Sequence, residues 1–388
     1  MKKARIALRS LERERRLGGM GFARMAVLCF CFAFVSGTPA QQPEVAGTGD
    51  TTNPTFTTFD VPAATGTSVS GINAVGTIVG SYGHTTGTVS VSGFVRAASG
   101  AITSFDASSG TLYLGTTALG INTAGALTGY YTIDVAPFGA YYGFVRDVDG
   151  TISTFNASGA GTGSGQGTLA WSINAAGAVT GDYIDASGVV HGFVRAAGGT
   201  TTTFDAPGAA WTYGYSINDG GVIAGSYADA TGVEHGFARG ADGAITSFDA
   251  PGAGTTAEQG TNPLSINNAG TIGGYYKDAN YVFHGFVRTA SGAITTFDVP
   301  GAGTGFGQGT YVYGINAAGV IAGYYPDANG RYHGFVRNPG GVIATFEAPG
   351  AGTAECYGTY AFGISYPWAV AGSYSDANGV EHGYVLAP

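Results

Sequence analysis

Charged residues are scarce in this sequence, and basic residues are the scarcer kind. Of 388 residues, 16 are Lys or Arg and 25 are Asp or Glu, which together make 11% of the chain. Eight basic and two acidic residues precede position 41, so the remainder carries a net charge of −15. An acidic chain whose few arginines are spread along it lacks the basic patch that binds phosphates. A nucleic-acid partner is therefore not expected.

Cysteine and long apolar runs are also nearly absent. Two of the three cysteines, Cys29 and Cys31, lie in the apolar run over residues 25–35, and the third is Cys356. That run has eleven residues, whereas a helix that spans a bilayer needs about 20, so no stable membrane span is expected. If this segment is removed, one cysteine remains, and packing rather than an intrachain disulfide must hold the fold.

The N-terminal segment has the parts of an export signal. Basic residues between positions 2 and 24 precede the apolar run, and Thr38-Pro39-Ala40 offers small residues for cleavage. The sequence predicts a signal peptide over residues 1–40, a flexible linker over 41–54 and a folded domain over 55–388. The mature protein is expected to be secreted, periplasmic or at the cell surface.

Glycine and aromatic residues are abundant instead. The 69 glycines and 12% aromatic content favour many short strands joined by tight turns. Because the glycines recur at fixed offsets from Phe, Ile and Tyr, the composition does not indicate a disordered tract.

Four motifs recur seven times in the same order, and we name the strands that they predict A to D. Strand A carries Ile-Asn, strand B Gly-x-Tyr, strand C Gly-Phe-Val-Arg and strand D Thr/Ser-Phe-Asp. The strand C aromatics are 44 to 50 residues apart: Phe94, Phe144, Phe193, Phe237, Phe286, Phe335 and Tyr384. Glycine in every connecting turn predicts hairpins, with two-residue turns between C and D such as Ser99-Gly100. Four antiparallel strands with this period are typical of a β-propeller blade.

The order of the motifs predicts how many blades there are and how they close. The chain has a lone strand D at Phe59-Asp60 and a last strand C at residues 382–385. The N-terminal strand is expected to pair in the C-terminal blade, which gives an all-β, seven-bladed, closed propeller. A β-solenoid is the alternative, but its coils are usually shorter and leave two ends to cap.

These blocks resemble the bacterial extracellular HAF repeat over residues 55–388. The resemblance rests on Gly-Ile-Asn, Thr-Phe-Asp-x-Pro-Gly and His-Gly-Phe, and it implies an exported repeat protein without an assigned activity. Ser92 and Tyr142 replace the His in the first two units, and residues 364–368 interrupt the seventh A–B turn. Specialisation is expected where the pattern breaks.

One polar constellation, Tyr-x-Asp-x5-His, recurs in five units. Across a B–C hairpin its side chains share one face, and we interpret them as a structural cluster in which Tyr, Asp and His hydrogen-bond one another, rather than as acid–base or metal sites. The Asp-Ala-Asn-Gly loops are interpreted as turns, and no Gly-Lys-Ser/Thr follows the Gly-rich connectors. No metal, cofactor or catalytic residue is predicted. The clusters are Tyr183/Asp185/His191, Tyr227/Asp229/His235, Tyr276/Asp278/His284, Tyr325/Asp327/His333 and Tyr374/Asp376/His382.

The D–A connectors and B–C hairpins are expected to emerge on one face, where aromatic residues could stack on a ligand. The candidate ligand-binding residues are Tyr142, Trp171, Trp211, Phe306, Tyr311 and Trp368. The sequence thus favours a monomeric, non-catalytic binding or scaffold protein for a carbohydrate or protein ligand. Two alternatives are a propeller lyase or glycan hydrolase at the symmetry-breaking units and a self-assembling surface component.

Overall fold

The structure is a computed structural model, and it describes residues 54–86, 88–108, 113–133 and 139–388. The predicted signal peptide and all but the last residue of the predicted linker lie outside the described residues. The described chain is all-β and contains no helix long and apolar enough to cross a membrane.

Its strands follow the predicted A to D order. They are β1 (Thr55–Phe59), β2 (Gly66–Ile72), β3 (Ile78–Thr86), β4 (Thr88–Arg96), β5 (Ile102–Phe105), β6 (Tyr113–Ile121), β7 (Leu127–Ile133), β8 (Ala140–Arg146), β9 (Ile152–Phe155), β10 (Gly167–Ile173), β11 (Val179–Ile184), β12 (Val190–Arg195), β13 (Thr201–Phe204), β14 (Trp211–Ile217), β15 (Ile223–Ala228), β16 (Glu234–Arg239), β17 (Ile245–Phe248), β18 (Gly260–Ile266), β19 (Ile272–Lys277), β20 (Phe283–Arg288), β21 (Ile294–Phe297), β22 (Tyr311–Ile315), β23 (Ile321–Pro326), β24 (Tyr332–Arg337), β25 (Ile343–Phe346), β26 (Gly358–Ile364), β27 (Val370–Ser375) and β28 (Glu381–Ala387).

Antiparallel pairing sorts these strands into units of four. Units 1 to 6 are β2–β5, β6–β9, β10–β13, β14–β17, β18–β21 and β22–β25, and unit 7 is β26–β28 with β1. Single parallel bridges, such as Glu234 to Gly260, link some neighbouring units. Three separate sheets result, of 8, 12 and 8 strands. The strands A contact one another in turn along the chain, and β26 also contacts β2.

The turns between strands C and D differ from the prediction. The N–H of Ala97 donates to the Ala101 carbonyl at 2.8 Å, and the N–H of Gly100 donates to the Ala97 carbonyl at 2.8 Å. Three residues therefore lie between Ala97 and Ala101, the hydrogen-bonded pair that closes the turn, and the A–B turns have the same length. The predicted two-residue turn is wrong. The glycine is still required, because Gly100 has φ of 95°.

Aromatic side chains of strands C and D build the core. The strand C aromatics are fully buried, for example Phe94 and Tyr384. Each strand D Phe lies against strand C of the following unit, where Phe59 meets Phe94 edge-on with a centroid distance of 6.0 Å. The guanidinium of Arg96 then covers Phe59 at 4.7 Å from the ring centroid.

The same arginine contact occurs at six unit boundaries, with distances of 4.6 to 5.1 Å. The strand C Arg therefore packs on the strand D Phe of the preceding unit at each of these boundaries. Each such cation–π contact stabilises the fold by about 0.5–2 kcal/mol, depending on its burial. In unit 7, Leu386 stands at the Arg position, and Phe56 of β1 packs on Phe346 at a centroid distance of 6.0 Å.

Cys356 is disulfide-bonded in the structure. Because the other two cysteines precede residue 41, the expectation of a fold without an intrachain disulfide applies only to a chain that lacks residues 1–40.

Strand β1 is held by a close approach to Gly383. A Cβ at this glycine would lie 2.6 Å from the Phe59 ring, so Gly383→Ala should push β1 off β28. We expect a loss of about 1–3 kcal/mol in the free energy of unfolding, measured by urea denaturation. The matched control is Gly198→Ala, because a Cβ there meets nothing within 4 Å. Equal unfolding free energies for the two variants would contradict this packing.

Candidate functional site

The strand ends form two faces. D–A connectors dock on B–C turns, as where the Glu258 N–H donates to the Gly232 carbonyl at 2.9 Å and the Gly307 N–H to the Tyr281 carbonyl at 3.0 Å. We call this end the connector face. The A–B and C–D turns lie at the other end, which we call the turn face.

The Tyr, Asp and His of each predicted cluster do meet, and a fourth group joins them. In unit 3, the His191 ring stacks on Tyr183 with a centroid distance of 5.0 Å, and its Nε2 lies 3.6 Å from Asp185. Its Nδ1 lies 2.9 Å from the Asp205 carboxylate of strand D. The strand D partners of His235, His284, His333 and His382 are Asp249, Asp298, Glu347 and Asp60.

The strand D carboxylates thus bind histidine and do not cap the turn that follows. A threonine of the next strand A does so instead. The Oγ1 of Thr67 accepts the Val61 N–H at 3.1 Å, and the Oγ1 of Thr212 accepts the Ala206 N–H at 3.2 Å. Sequence reasoning missed this partner because Asp and His are 14 residues apart on paired strands.

The strand B aspartates serve their turns, as predicted. Asp185 accepts the N–H groups of Ser187 and Val189 at 2.8 and 2.9 Å. The hydrogen bonds of Ser187, above all, lower the pKa of Asp185 to about 2. Within the described residues, no group of three or more His, Cys, Asp or Glu side chains is placed to hold a metal ion.

The cluster of unit 6 has the same arrangement as the other four. Asp327 Oδ2 lies 3.5 Å from His333 Nε2, and the corresponding distances in the other clusters are 3.6 to 3.7 Å. Asp327 Oδ1 accepts the N–H groups of Asn329 at 2.8 Å and Arg331 at 3.0 Å. These two amides hold the carboxylate in the B–C turn, as expected of an Asp-Ala-Asn-Gly turn. His333 is bound by Glu347 through its other ring nitrogen.

The units without this His fill its place differently. In unit 1, the Oγ of Ser92 lies 3.0 Å from the Nε2 of His84. Tyr142 of unit 2 stacks on Tyr131 with a centroid distance of 5.3 Å. Both replacements lie inside the B–C hairpin and preserve a ring or hydrogen-bond contact there.

The cluster of unit 5 should show its charge coupling in an NMR titration. The His284 pKa is raised, chiefly by the Asp298 hydrogen bond at 2.8 Å, whereas Asp278 lies 3.7 Å away. A raised pKa means that this histidine stabilises the fold fully below its usual value of 6.5 and ceases to do so as the pH rises through the folded value.

We therefore expect Asp298→Asn to lower the His284 imidazole pKa, and Asp278→Asn, the matched control, to lower it less. The reverse order would contradict the assignment of Asp298 as the main partner.

The predicted ligand-binding aromatics do not share one surface. Trp171 donates its Nε1–H to Asp182, and Trp211 lies 4.9 Å from Tyr213 between ring centroids. Tyr311 is stacked between Phe283 and Tyr324 at 4.3 and 5.1 Å. These rings belong to an interior aromatic layer on the connector side.

The other two predicted residues lie apart from that layer. Trp368 packs against the core of unit 7 at the turn face, which is the opposite end of the strands. Phe306 lies on the connector face and is 63% exposed.

Three charged side chains, Asp182, Glu234 and Lys277, lie beside the aromatic layer, and of these only Glu234 has a charged counterpart, Glu381 at the same strand C position of unit 7. Asp182 and Glu234 are 2% and 4% exposed. Glu234 accepts from Asn262 Nδ2 at 2.6 Å and pairs with Lys277 Nζ at 2.8 Å. Burial raises the pKa of Asp182 to about 7, against the opposing Trp171 hydrogen bond.

Sequence reasoning missed these carboxylates, although a signal was present. Asp182 is the only Asp at the middle position of the seven Gly-x-Tyr motifs, and Lys277 is the only lysine after Lys3.

The buried Asp182 should make stability depend on pH. Because its pKa is raised from 3.8 to about 7, the folded state keeps a proton that the unfolded state loses, and stability falls as the pH rises between these values. In Asp182→Asn, the amide oxygen can still accept the hydrogen bond from Trp171 Nε1–H, but the side chain no longer ionises. At pH 8 we expect the variant to gain up to about 4 kcal/mol in unfolding free energy over the wild type, and to gain little at pH 4. A gain that does not change with pH would contradict a titrating Asp182.

One aromatic pair stands out on the connector face. Tyr281 occupies the B–C turn position that Gly188, Gly232, Gly330 and Gly379 fill elsewhere, and its φ is 59°. A bulky residue there is strained, and such strain is typical of functional sites. Its hydroxyl donates to the Ala257 carbonyl at 2.9 Å, and its ring lies 5.2 Å from Phe306 between centroids. The sequence had identified Phe306 but not its partner.

Comparison with known proteins places the fold and leaves the activity open. No family model matches the chain, and no curated protein matches its sequence. The β-propeller domain of the Trilobed protease from Pyrococcus furiosus aligns over 83% of this chain and 95% of its own, at 8% identity and a TM-score of 0.51. This likeness shows the fold alone, and the chain has a β-propeller fold.

Two further structures align less well. The alignment with puromycin hydrolase covers 83% of this chain and 55% of the hydrolase chain, at 12% identity and a TM-score of 0.46. TolB from Acinetobacter baumannii covers 80% of each chain, at 11% identity and a TM-score of 0.42.

Proposed function

We propose that this chain is an exported, seven-bladed β-propeller of the HAF-repeat kind that binds a carbohydrate through its connector face without catalysis. The observation that carries the proposal is the Tyr281–Phe306 pair, in which Phe306 is exposed and Tyr281 is half-buried. One residue of this pair adopts a backbone conformation that the equivalent turns reserve for glycine.

Strand contacts support a closed ring of seven blades. Each four-stranded unit is one blade, and β1 supplies the fourth strand of the last blade by pairing with β28, where Phe59 faces Gly383. Across the remaining boundary, the Val69 N–H of β2 donates to Ser373 Oγ of β27 at 2.9 Å. A ring joined in this way leaves fewer unpaired strand edges.

Fixed loops support a binding role for the aromatic pair. Gln308 Oε1 accepts the Gly305 N–H at 2.9 Å, and this bond shapes the connector that carries Phe306. The Gly307 N–H bonds the Tyr281 carbonyl, so both rings stand on one connected scaffold. Rings held in place before binding lose little conformational entropy when a ligand arrives.

The chemistry of the pair favours a carbohydrate. The two rings lie 41° from parallel and offer apolar faces at the surface. The polar residues Asn280 and Thr304 beside them are exposed. Apolar ring faces beside hydrogen-bonding side chains suit a sugar, which has both apolar and hydroxyl-bearing surfaces.

The alternative of an enzyme has less support. The raised pKa of Asp182 is the kind of perturbation that active sites use. However, Asp182 is bound by Trp171, Glu234 is bound by Lys277, and both carboxylates are buried. We infer that these groups order the aromatic interior.

The aromatic pair can be tested on a glycan array, followed by calorimetric titration with the glycan retained. We expect Phe306→Ala to weaken binding at least about tenfold, because it removes one ring face. Tyr366→Ala is the matched control, since Tyr366 is 62% exposed on the turn face, and it should bind like the wild type.

Three outcomes would overturn the proposal. Retention of no glycan by the wild type would exclude a carbohydrate ligand, and product formed from a retained glycan would favour the enzyme. If Phe306→Ala and Tyr366→Ala weakened glycan binding equally, the binding site would not be at Phe306.

A further inference from the structure

The turn face has a depression of about 240 Å³ at its centre, lined by the A–B turns of all seven units. Its outer edge is formed by the residue that follows the strand A Asn, or Ser365 in unit 7. We call these seven the rim residues: Ala74, Thr123, Ala175, Asp219, Asn268, Ala317 and Tyr366.

A chain of asparagine hydrogen bonds holds the rim in register. Asn73 Nδ2 donates to the Asn122 carbonyl at 3.0 Å, and the same bond recurs from unit to unit until Asn316 donates to Ser365. Each Asn Oδ1 also accepts N–H groups of its own turn, such as Thr77 at 2.9 Å. The main-chain groups of the rim are therefore fixed in place by buried side chains.

Two rim N–H groups show which chemistry this position binds. The Ala175 N–H donates to Asp219 Oδ1 at 2.8 Å, and the Asp219 N–H donates to Asn268 Oδ1 at 3.0 Å. In both cases the acceptor is the side chain of the next rim residue. A planar carboxylate or carboxamide oxygen thus fits the rim N–H.

The other five rim N–H groups have no acceptor within the described part of the chain. They belong to Ala74, Thr123, Asn268, Ala317 and Tyr366, and in each case the next rim residue is Thr, Ala or Tyr. A concave set of main-chain N–H groups is a recurrent binding site for anionic oxygens.

We propose that this axial depression binds a carboxylate-bearing ligand through the five open rim N–H groups, with the carboxylate taking the part that Asp219 plays for Ala175. The site lies on the turn face and is independent of the carbohydrate site. Among the described residues that line the depression, Asp219 is the only charged one. Its negative charge repels a carboxylate ligand, and its side chain already occupies the N–H of Ala175.

The test is an amide NMR titration of the protein with two probes, citrate and a tetra-aspartate peptide, against sodium chloride of equal ionic strength. We expect saturable shifts in the five open amides with at least one probe, while the amides of Ala175 and Asp219, which are already bonded, move little. Tighter binding of the peptide would indicate carboxylates of a partner protein, and tighter binding of citrate would indicate a free polycarboxylate.

A charge variant separates this site from general electrostatics. Asp219→Ala should free the Ala175 N–H, make that amide respond, and tighten binding about fivefold by removing a like charge. The matched control is Asp242→Ala, because Asp242 serves its own C–D turn through the Ala244 N–H.

Equal effects of the two substitutions would overturn the proposal. So would shifts that chloride reproduces, or shifts in the wild type that involve the bonded amides as strongly as the open ones.

Discussion

The packing of each strand D phenylalanine joins one unit to the next, and the rest of the structure depends on it. Phe59 lies on Gly383 of its own unit, meets Phe94 of the following unit and is covered by Arg96. The glycine is needed because a Cβ would occupy the space of the ring. One aromatic side chain therefore holds the hairpin together and stacks the units, and its repetition gives a fold that needs few charges.

On this frame, polar groups are arranged by depth. The histidine clusters connect strands B, C and D near the surface, while Asp182 and Glu234 are buried beside the interior aromatic layer and Lys277 is half-buried there. The repeated clusters are consistent with a structural role, because a single active site does not need five copies. Asp182 and Glu234 are satisfied by Trp171, Asn262 and Lys277, which lets the interior hold charge.

The order and pairing of the strands could be predicted well from the sequence, because each strand carries its own motif and glycine marks each turn. The length of the C–D turn could not be predicted, since a glycine at positive φ suits two-residue and three-residue turns alike.

The hydrogen bonds of the histidines were predicted less well than the strands. The partner of His191 was missed because strand register, and not spacing along the chain, brings Asp205 to it. Asp327 lies 3.5 Å from His333 Nε2 and is held by the amides of its own turn, as in the other clusters. A shared face of a hairpin brings such side chains near each other, and the competing acceptors and donors around them decide which bond forms.

The candidate site was predicted in part. Phe306 was predicted to lie on the connector face, and it is exposed there, whereas Trp171 and Tyr311, predicted for the same face, are half-buried in the aromatic layer. Exposure separates them, and exposure depends on which neighbours cover a side chain. Tyr281 gave only a weak signal, a missing glycine in one B–C turn, whose meaning depends on its φ and on its contact with Phe306.

The sequence by itself determined the repeat, the strand order and the turns, because these follow from local backbone preference and from the period of apolar side chains. Only the tertiary structure decided which polar groups meet across strands and units, which aromatic rings reach the surface, and which rim N–H groups remain open. Those outcomes depend on contacts between residues far apart along the chain, from 14 positions for His191 and Asp205 to 44 for Ala175 and Asp219. No local pattern specifies the distance between such residues.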